Sequence, residues 1–168
     1  ISVFKNQIDR PNLNISVMLR TDESFNEIIE LLKGRFIDQT GIIYCFSRKQ
    51  CETMVEKMKS FNLPAAYYHA GMSKISREQT QNEWIGGKHK IIVATIAFGM
   101  GIDKANVRYV IHYHLPKSLE NYYQEIGRAG RDGKPSECIL YYNPTDKIGL
   151  EQMMFHNKNL DNDVLSTQ

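Results

Sequence analysis

Gln124–Gly133 reads Gln-Glu-Ile-Gly-Arg-Ala-Gly-Arg-Asp-Gly and carries the strongest chemical signal in the chain. Arg128 and Arg131 stand three residues apart, interleaved with Gly127, Gly130 and Gly133. Glycine lets a backbone turn sharply or approach a ligand closely. A guanidinium offers a planar fork of donors that matches phosphate oxygens. Together they point to phosphate chemistry with arginine as the positive charge. A lone Arg-x-x-Arg reads more readily as a solvated basic loop, so the surrounding ten residues carry the argument.

Three strand-end segments could join it. Ile91–Lys104 is an apolar run into Thr95, then a loop with Gly99 and Gly101, then Asp103-Lys104. Asp103 could accept from a ribose hydroxyl or merely cap a turn. In Tyr44–Lys49, an apolar run ends in Ser47, Arg48 and Lys49, where a helix begins. Helix-start amides, a hydroxyl and two cations make a phosphate site, or an ordinary helix cap. His69-Ala70-Gly71-Met72 is a further strand-end loop, in which His69 reads first as structural.

The chain has no Gly-x-x-x-x-Gly-Lys-Ser/Thr loop. Gly87-Lys88 has Asn82 at the first glycine position and His89 after it, and Gly133-Lys134 has Arg128 and Pro135 there. No apolar strand ends in an Asp-Glu pair. Asp22-Glu23 opens a helix and is a poor magnesium site. Any role in nucleotide hydrolysis is therefore expected to be half of a site.

The elements that must hold these residues alternate along the chain. Gly41–Phe46, Ile91–Thr95, Tyr109–Tyr113 and Cys138–Tyr142 read as strands buried on both faces, with Ile15–Leu19 and Ala65–His69 as further strands. Phe25, Ile28, Ile29, Leu32 and Phe36 form one helical stripe behind a Thr21 cap, and Cys51, Met54, Val55 and Met58 form another. A polar helix runs from Ser73 or Ser76 to about Ile85, with Ser76 and Gln79 able to form a capping box. Ser118 opens a helix to about Ile126, and Asn143-Pro144 looks like another helix start. The expected fold class is α/β, a parallel sheet with helices on both faces. Its strand ends along one edge are where ligands usually bind.

The 168 residues fit one domain, and 42% hydrophobic with 24% charged residues is ordinary for a globular chain. A net charge of +2 leaves any basic surface local. Cys45, Cys51 and Cys138 form no Cys-x-x-Cys pair, which argues against a disulfide framework or zinc site and for a reducing compartment. No signal peptide or membrane-spanning run is visible. The start at Ile1 without Met and the polar stretch Asn157–Gln168 are expected of a piece of something longer.

In this order, the motifs resemble the second motor lobe of superfamily 2 helicases. Ala97–Lys104 and Gln124–Gly133 look like the RecQ family, and the likeness runs from about Asp9-Arg10-Pro11-Asn12-Leu13 to about Tyr142. Gly41–Arg48 and Lys158-Asn159-Leu160 look most like its eukaryotic Bloom-type branch. The resemblance implies a RecA-like, P-loop NTPase-type lobe over residues 1–150 without its own Walker A. Residues 151–168 would begin a linker towards a zinc-binding module beyond Gln168. It further implies an ATP-dependent 3′–5′ DNA helicase and DNA-stimulated ATPase, acting on single-stranded or forked DNA in repair, recombination and replication. The location would be the nucleus in a eukaryote and the cytoplasm otherwise, with no membrane partner.

Residue by residue, the resemblance makes Arg131 the arginine finger and Arg128 its support. It turns Gly101, Asp103 and Gln124 towards ATP, and it gives Ser47, Arg48, Lys49 and Thr95 to single-stranded DNA. ATP and Mg2+ would be held mainly by a first RecA-like lobe, Zn2+ only by the downstream module, and this lobe alone is expected to be inactive. Two segments depart from the Bloom-type pattern. Thr21-Asp22-Glu23-Ser24 and Gly149-Leu150-Glu151-Gln152 stand where basic residues are expected. The alternatives are an RNA helicase lobe of the DEAD-box kind, which would carry His-Arg-Ile-Gly-Arg where this chain has Gln124–Arg128, and a non-catalytic nucleic-acid-binding module.

Overall fold

Every residue of Thr40–Tyr44 and Ile91–Ala94 is buried, as central strands covered on both faces must be. The computed structural model describes residues 10–95 and 102–146. Its strands are β1 (Leu13–Leu19), β2 (Thr40–Tyr44), β3 (Ala65–Tyr68), β4 (Ile91–Ala94), β5 (Val107–His112) and β6 (Ser136–Tyr142). Its helices are α1 (Ser24–Lys33), α2 (Arg48–Ser60), α3 (Lys74–Ile85) and α4 (Leu119–Ile126), followed by a 3₁₀ turn at Pro144–Asp146. The strands form one parallel sheet in the order β1-β6-β5-β2-β4-β3.

The two-residue period of the strands builds two cores. Ile43, Val93, Ile111 and Ile139 pack with Ile28, Ile29 and Leu32 of α1 and Cys51, Met54, Val55 and Met58 of α2. Ile42, Ile92, Val110 and Cys138 pack on the other face with Trp84 of α3 and Tyr122 and Ile126 of α4. Gly41 is a packing glycine, since a Cβ there would fall 2.0 Å from the Tyr109 ring.

Several local expectations shift. Phe36 is buried, but α1 ends at Lys33, so Phe36 reaches the core from the following turn and stacks on Tyr109 at 4.5 Å. Thr21 does not cap α1. Its hydroxyl accepts from Glu23 N at 3.2 Å, and its own N–H donates to Ser24 Oγ at 2.8 Å, closing a turn ahead of the helix. Ser73 caps α3 by accepting from Ser76 N at 3.1 Å, while Gln79 turns to Glu83 instead of closing a box with Ser76. Ser118 caps α4 as expected, accepting from Asn121 N at 3.0 Å.

β2 leads outward to β3 and β5 leads the opposite way to β6, so these neighbours form the switch point of the sheet. Their carboxyl ends, Tyr44 and His112, face one edge. Loops that return from a helix to a strand lie at the opposite edge, roughly 20 Å away along a six-residue strand such as β5.

Candidate functional site

Gly127–Pro135 is such a returning loop, between α4 and β6. Gly130 N donates to the carbonyl of Val107, Asp132 N to that of Ala105, and Ser136 N to that of Asn12, at 2.9–3.0 Å. These bonds pin the loop to the amino ends of β5 and β1. The strand-end rule anticipated ligand groups at the carboxyl edge; a helix-to-strand connection places the arginine loop at the other one.

Side chains complete the frame. Arg10 donates to the carbonyls of Gly127, Ala129 and Gly130 at 3.2, 2.6 and 2.8 Å. Asn12 Nδ2 donates to the Gly130 and Lys134 carbonyls at 2.8 and 3.0 Å. Arg108 pairs with Asp132 and reaches the Pro135 carbonyl at 3.1 Å. The Arg108 hydrogen bond, helped by the Lys134 N–H, holds the Asp132 carboxyl below its ordinary value. Gly130 adopts φ +57°, and a Cβ there would meet Asn12 Nδ2 at 2.5 Å. Gly133 also has positive φ, +82°, but its space is open.

On this fixed backbone, the Arg131 side chain is 35% exposed. Its Nη1 donates to the Ile102 carbonyl at 2.9 Å and to Asp103 Oδ1 at 3.0 Å. Asp103 is 84% exposed, and an ion pair so open to water holds its partner weakly. Arg131 and Asp103 are thus brought together. Arg128 faces inward, its charge acting on the buried Tyr44 hydroxyl, whose pKa burial pushes up and Arg128 draws down. Gln124 is exposed on α4. Gly101 lies outside the described residues.

The residues expected to meet DNA gather at the carboxyl edge. Phe46, Ser47, Arg48, Lys49, Thr95 and Lys117, with Ala70, line one open groove of about 730 Å³. Ser47 caps α2 by accepting from Gln50 N at 3.2 Å, and Gln50 Oε1 accepts from Phe46 N at 3.1 Å. The other end of Gln50 lies 2.9 Å from His114 Nε2, tying this corner to the β5–α4 loop. Arg48 and Lys49 are exposed on the first turn of α2, where helix amides add a partial positive charge. The groove's cations are Arg48, Lys49 and Lys117; at its side, burial and then the Arg20 charge lower the His114 pKa.

Sequence reading did not single out the loop-holding roles of Arg10 and Asn12, nor Lys117, nor the buried pair His112–Glu125, whose Nε2 and Oε2 lie 2.7 Å apart. The pair had a signal. Glu125 sits between Tyr122 and Ile126 on the buried stripe of α4, and a carboxylate there must find a partner. Lys117 lies too far along the chain from Arg48 for spacing to join them. Among the described residues, no group of three or more His, Cys, Asp or Glu side chains could hold a metal. No helix among them is long and apolar enough to cross a membrane.

Known proteins show the same framework. Residues 23–133 match the helicase conserved C-terminal domain. The ATP-dependent DNA helicase hus2/rqh1 of Schizosaccharomyces pombe is 47% identical over 152 residues, 90% of this chain and 11% of that protein. The ATP-dependent helicase SGS1 of Saccharomyces cerevisiae is 46% identical over 158 residues, 94% of this chain and 11% of that protein. The chain thus spans about a tenth of the length of these two relatives. In fold, it is similar to the Escherichia coli DEAD-box protein SrmB, with a TM-score of 0.70 and 20% identity over 83% of this chain and 81% of that one. With the match covering residues 23–133, the chain belongs to the helicase conserved C-terminal domain family, and over nine tenths of its length it is also similar to the RecQ-like DNA helicase blm-1 of Caenorhabditis elegans, 46% identical over 152 residues and 15% of that protein.

Proposed function

We propose that this chain is the second motor lobe of an ATP-dependent 3′–5′ DNA helicase, supplying an arginine finger at Arg131 and part of a single-stranded DNA track. The observation that carries this reading is Arg131 itself: a fixed backbone, an exposed guanidinium and a weakly held carboxylate partner. Phosphoryl transfer needs positioning and charge stabilisation more than covalent help. A guanidinium that leaves Asp103 and meets a γ-phosphate across a closing interface supplies both. Arg128, turned inward on Tyr44, supports the loop from behind, Asp103 and Gln124 meet the nucleotide, and Gly101 is given the same role by the family resemblance alone.

In this reading ATP and its Mg2+ are held mainly by another lobe, since the sequence has no Walker A loop. The lobe alone is inactive in this reading. At the other edge, the groove of Ser47, Arg48, Lys49, Thr95 and Lys117 grips phosphates of single-stranded or forked DNA without reading bases. Asp22 and Glu23 are exposed where the Bloom-type pattern is basic, which removes a charge contact from that flank. Work on DNA in repair and recombination, and a nuclear location, follow from the RecQ kinship. The fold likeness to a DEAD-box protein is shared by DNA and RNA helicases, whereas the 47% identity is to a protein named as a DNA helicase.

The test is Arg131→Ala in a full-length protein carrying this lobe. DNA-stimulated hydrolysis should fall by about 10³–10⁵-fold with nucleotide binding largely intact. Normal turnover in that variant would sink the assignment. Metal-dependent ATP hydrolysis by the lobe alone would contradict the half-site, and better unwinding of RNA than DNA duplexes would move the protein to the RNA helicases.

A further inference from the structure

Three carbonyls beyond the last turn of α4 converge on one side chain, and that side chain comes from 117–120 residues away. A helix leaves its final carbonyls without internal donors, and a cation near them is favourable. Capping explains a positive charge beside Gly127. It does not explain why the guanidinium reaches past the helix end to Ala129 and Gly130, or why Asn12 adds a second donor to the Gly130 oxygen.

The Gly130 carbonyl and the Arg131 amide belong to one rigid peptide plane. Two donors on that oxygen therefore fix the orientation of the bond from which Arg131 departs. Gly130 N is held by Val107 and Asp132 N by Ala105, so the backbone is anchored on both sides of Arg131. The fork geometry of arginine suits this work, since one planar group serves three acceptors in different directions.

We propose that Arg10 and Asn12 are positioning residues for Arg131: they set the peptide plane that aims its guanidinium and touch no nucleotide themselves. This rests on the reading of Arg131 as the charge donor in hydrolysis. Both residues lie immediately before β1, and β1 pairs along its whole length with β6, the strand that leaves the arginine loop. The aim of the loop is thereby tied to the sheet edge and not to the mobility of its own short turn.

The experiment compares Arg10→Ala, Arg10→Lys and Asn12→Ala in a full-length protein carrying this lobe, alone and with Arg131→Ala. The readouts are ATPase kcat, KM for ATP, single-stranded DNA affinity and the melting temperature. Arg10→Ala should lower kcat by about 10²-fold, the usual cost of misplacing a reacting group by an ångström. KM for ATP and DNA affinity should stay close to the parent's. Arg10→Lys, reaching fewer carbonyls, should recover part of the rate.

A capping role alone would lower the melting temperature and leave the folded enzyme's kcat intact, and that result overturns the proposal. In the Arg131→Ala background, adding Arg10→Ala should cost nothing further in kcat, because a positioning residue has nothing left to position. Losses that multiply also overturn it. If Arg10→Ala does not fold, Arg10→Lys and Asn12→Ala carry the same comparison. Wild-type turnover in Arg131→Ala alone would remove the functional reading, and this proposal with it. A dead Arg131→Ala beside a fully active Arg10→Ala would remove the proposal alone.

Discussion

At the amino edge of the sheet, Arg131 stands on a loop held by donors and acceptors from residues 10–12 and 102–108. At the carboxyl edge, Arg48 and Lys49 stand exposed on the first turn of a helix whose cap, Ser47 with Gln50, is local. The difference matches two kinds of work. Stabilising charge in a transition state rewards donors that are already in place, because they need no reorganisation when the charge develops. Gripping a nucleic-acid backbone rewards mobile cations, because successive phosphates present the same charge in varied positions. One edge is built to be rigid and the other to be adaptable. β5 and α4 run between the edges and are joined by the buried His112–Glu125 contact and by the edge-on packing of the His112 and Tyr122 rings, centroids 5.1 Å apart.

The sharpest way to break this contrast is Gly130→Ala. A residue with a Cβ in left-handed conformation costs about 1–2 kcal/mol, and here the added carbon also collides with Asn12 Nδ2 and the Lys134 carbonyl. The loop must shift, so DNA-stimulated ATP hydrolysis in a full-length protein should fall by about 10²-fold or more. Single-stranded DNA affinity should not change. Gly133→Ala is the internal control, because its positive φ lies in open space and only the conformational cost applies. Equal damage from both substitutions would show that the rigid frame around Gly130 has no special role.

Much of this was legible in the sequence, and the reasons for the rest are physical. Continuous apolar runs located β2, β4, β5 and β6, and helical stripes located α1 and α2, because burial imposes those periods directly. Ser47, Arg48, Lys49 and Thr95 were each expected to meet single-stranded DNA, and their side chains line one groove. That Gln124–Gly133 would sit at the amino edge also followed from order, since a loop between a helix and its next parallel strand must return there. The strand-end rule hid this. Arg10 was harder: no local pattern tells an arginine to serve carbonyls 117–120 residues downstream. Only the pairing of β1 with β6, across the eight strands and helices between them in the chain, brings them together. Phe36 misled for the opposite reason, since its spacing fitted a helix that had already ended at Lys33.

At the carboxyl edge, Arg48→Ala and Lys49→Ala should weaken single-stranded DNA binding across all sequences alike. Each lost phosphate contact should lower the slope of log affinity against log salt by roughly 0.7. ATPase kcat at saturating DNA should remain near the parent value, since neither residue supports Arg131. A loss confined to particular base sequences would mean that the groove reads bases. An unchanged salt slope would take these two cations out of the DNA track.

The smallest expected effect lies in how acid treats the two edges. Asp132 helps to hold the arginine loop, and its carboxyl sits below the ordinary value chiefly because Arg108 donates to it. A depressed folded-state pKa means that the carboxylate contributes stability above the unfolded pKa. That contribution is lost as pH falls from there through the folded value. The melting-temperature gap between the parent and Asp132→Asn should therefore be constant near neutrality and shrink as pH drops below about 4, the usual aspartate value. Lys49 has no partner of this kind in the chain of contacts that supports the loop, so the gap for Lys49→Ala should stay flat over the same range. The shrinkage should be modest, because the Arg108–Asp132 bond lies on an exposed loop where salt screens it. A gap for Asp132→Asn that persists unchanged into acid would mean that the Arg108 fork holds the Pro135 carbonyl and the loop without help from the carboxylate. The rigidity of the amino edge would then rest on backbone acceptors alone.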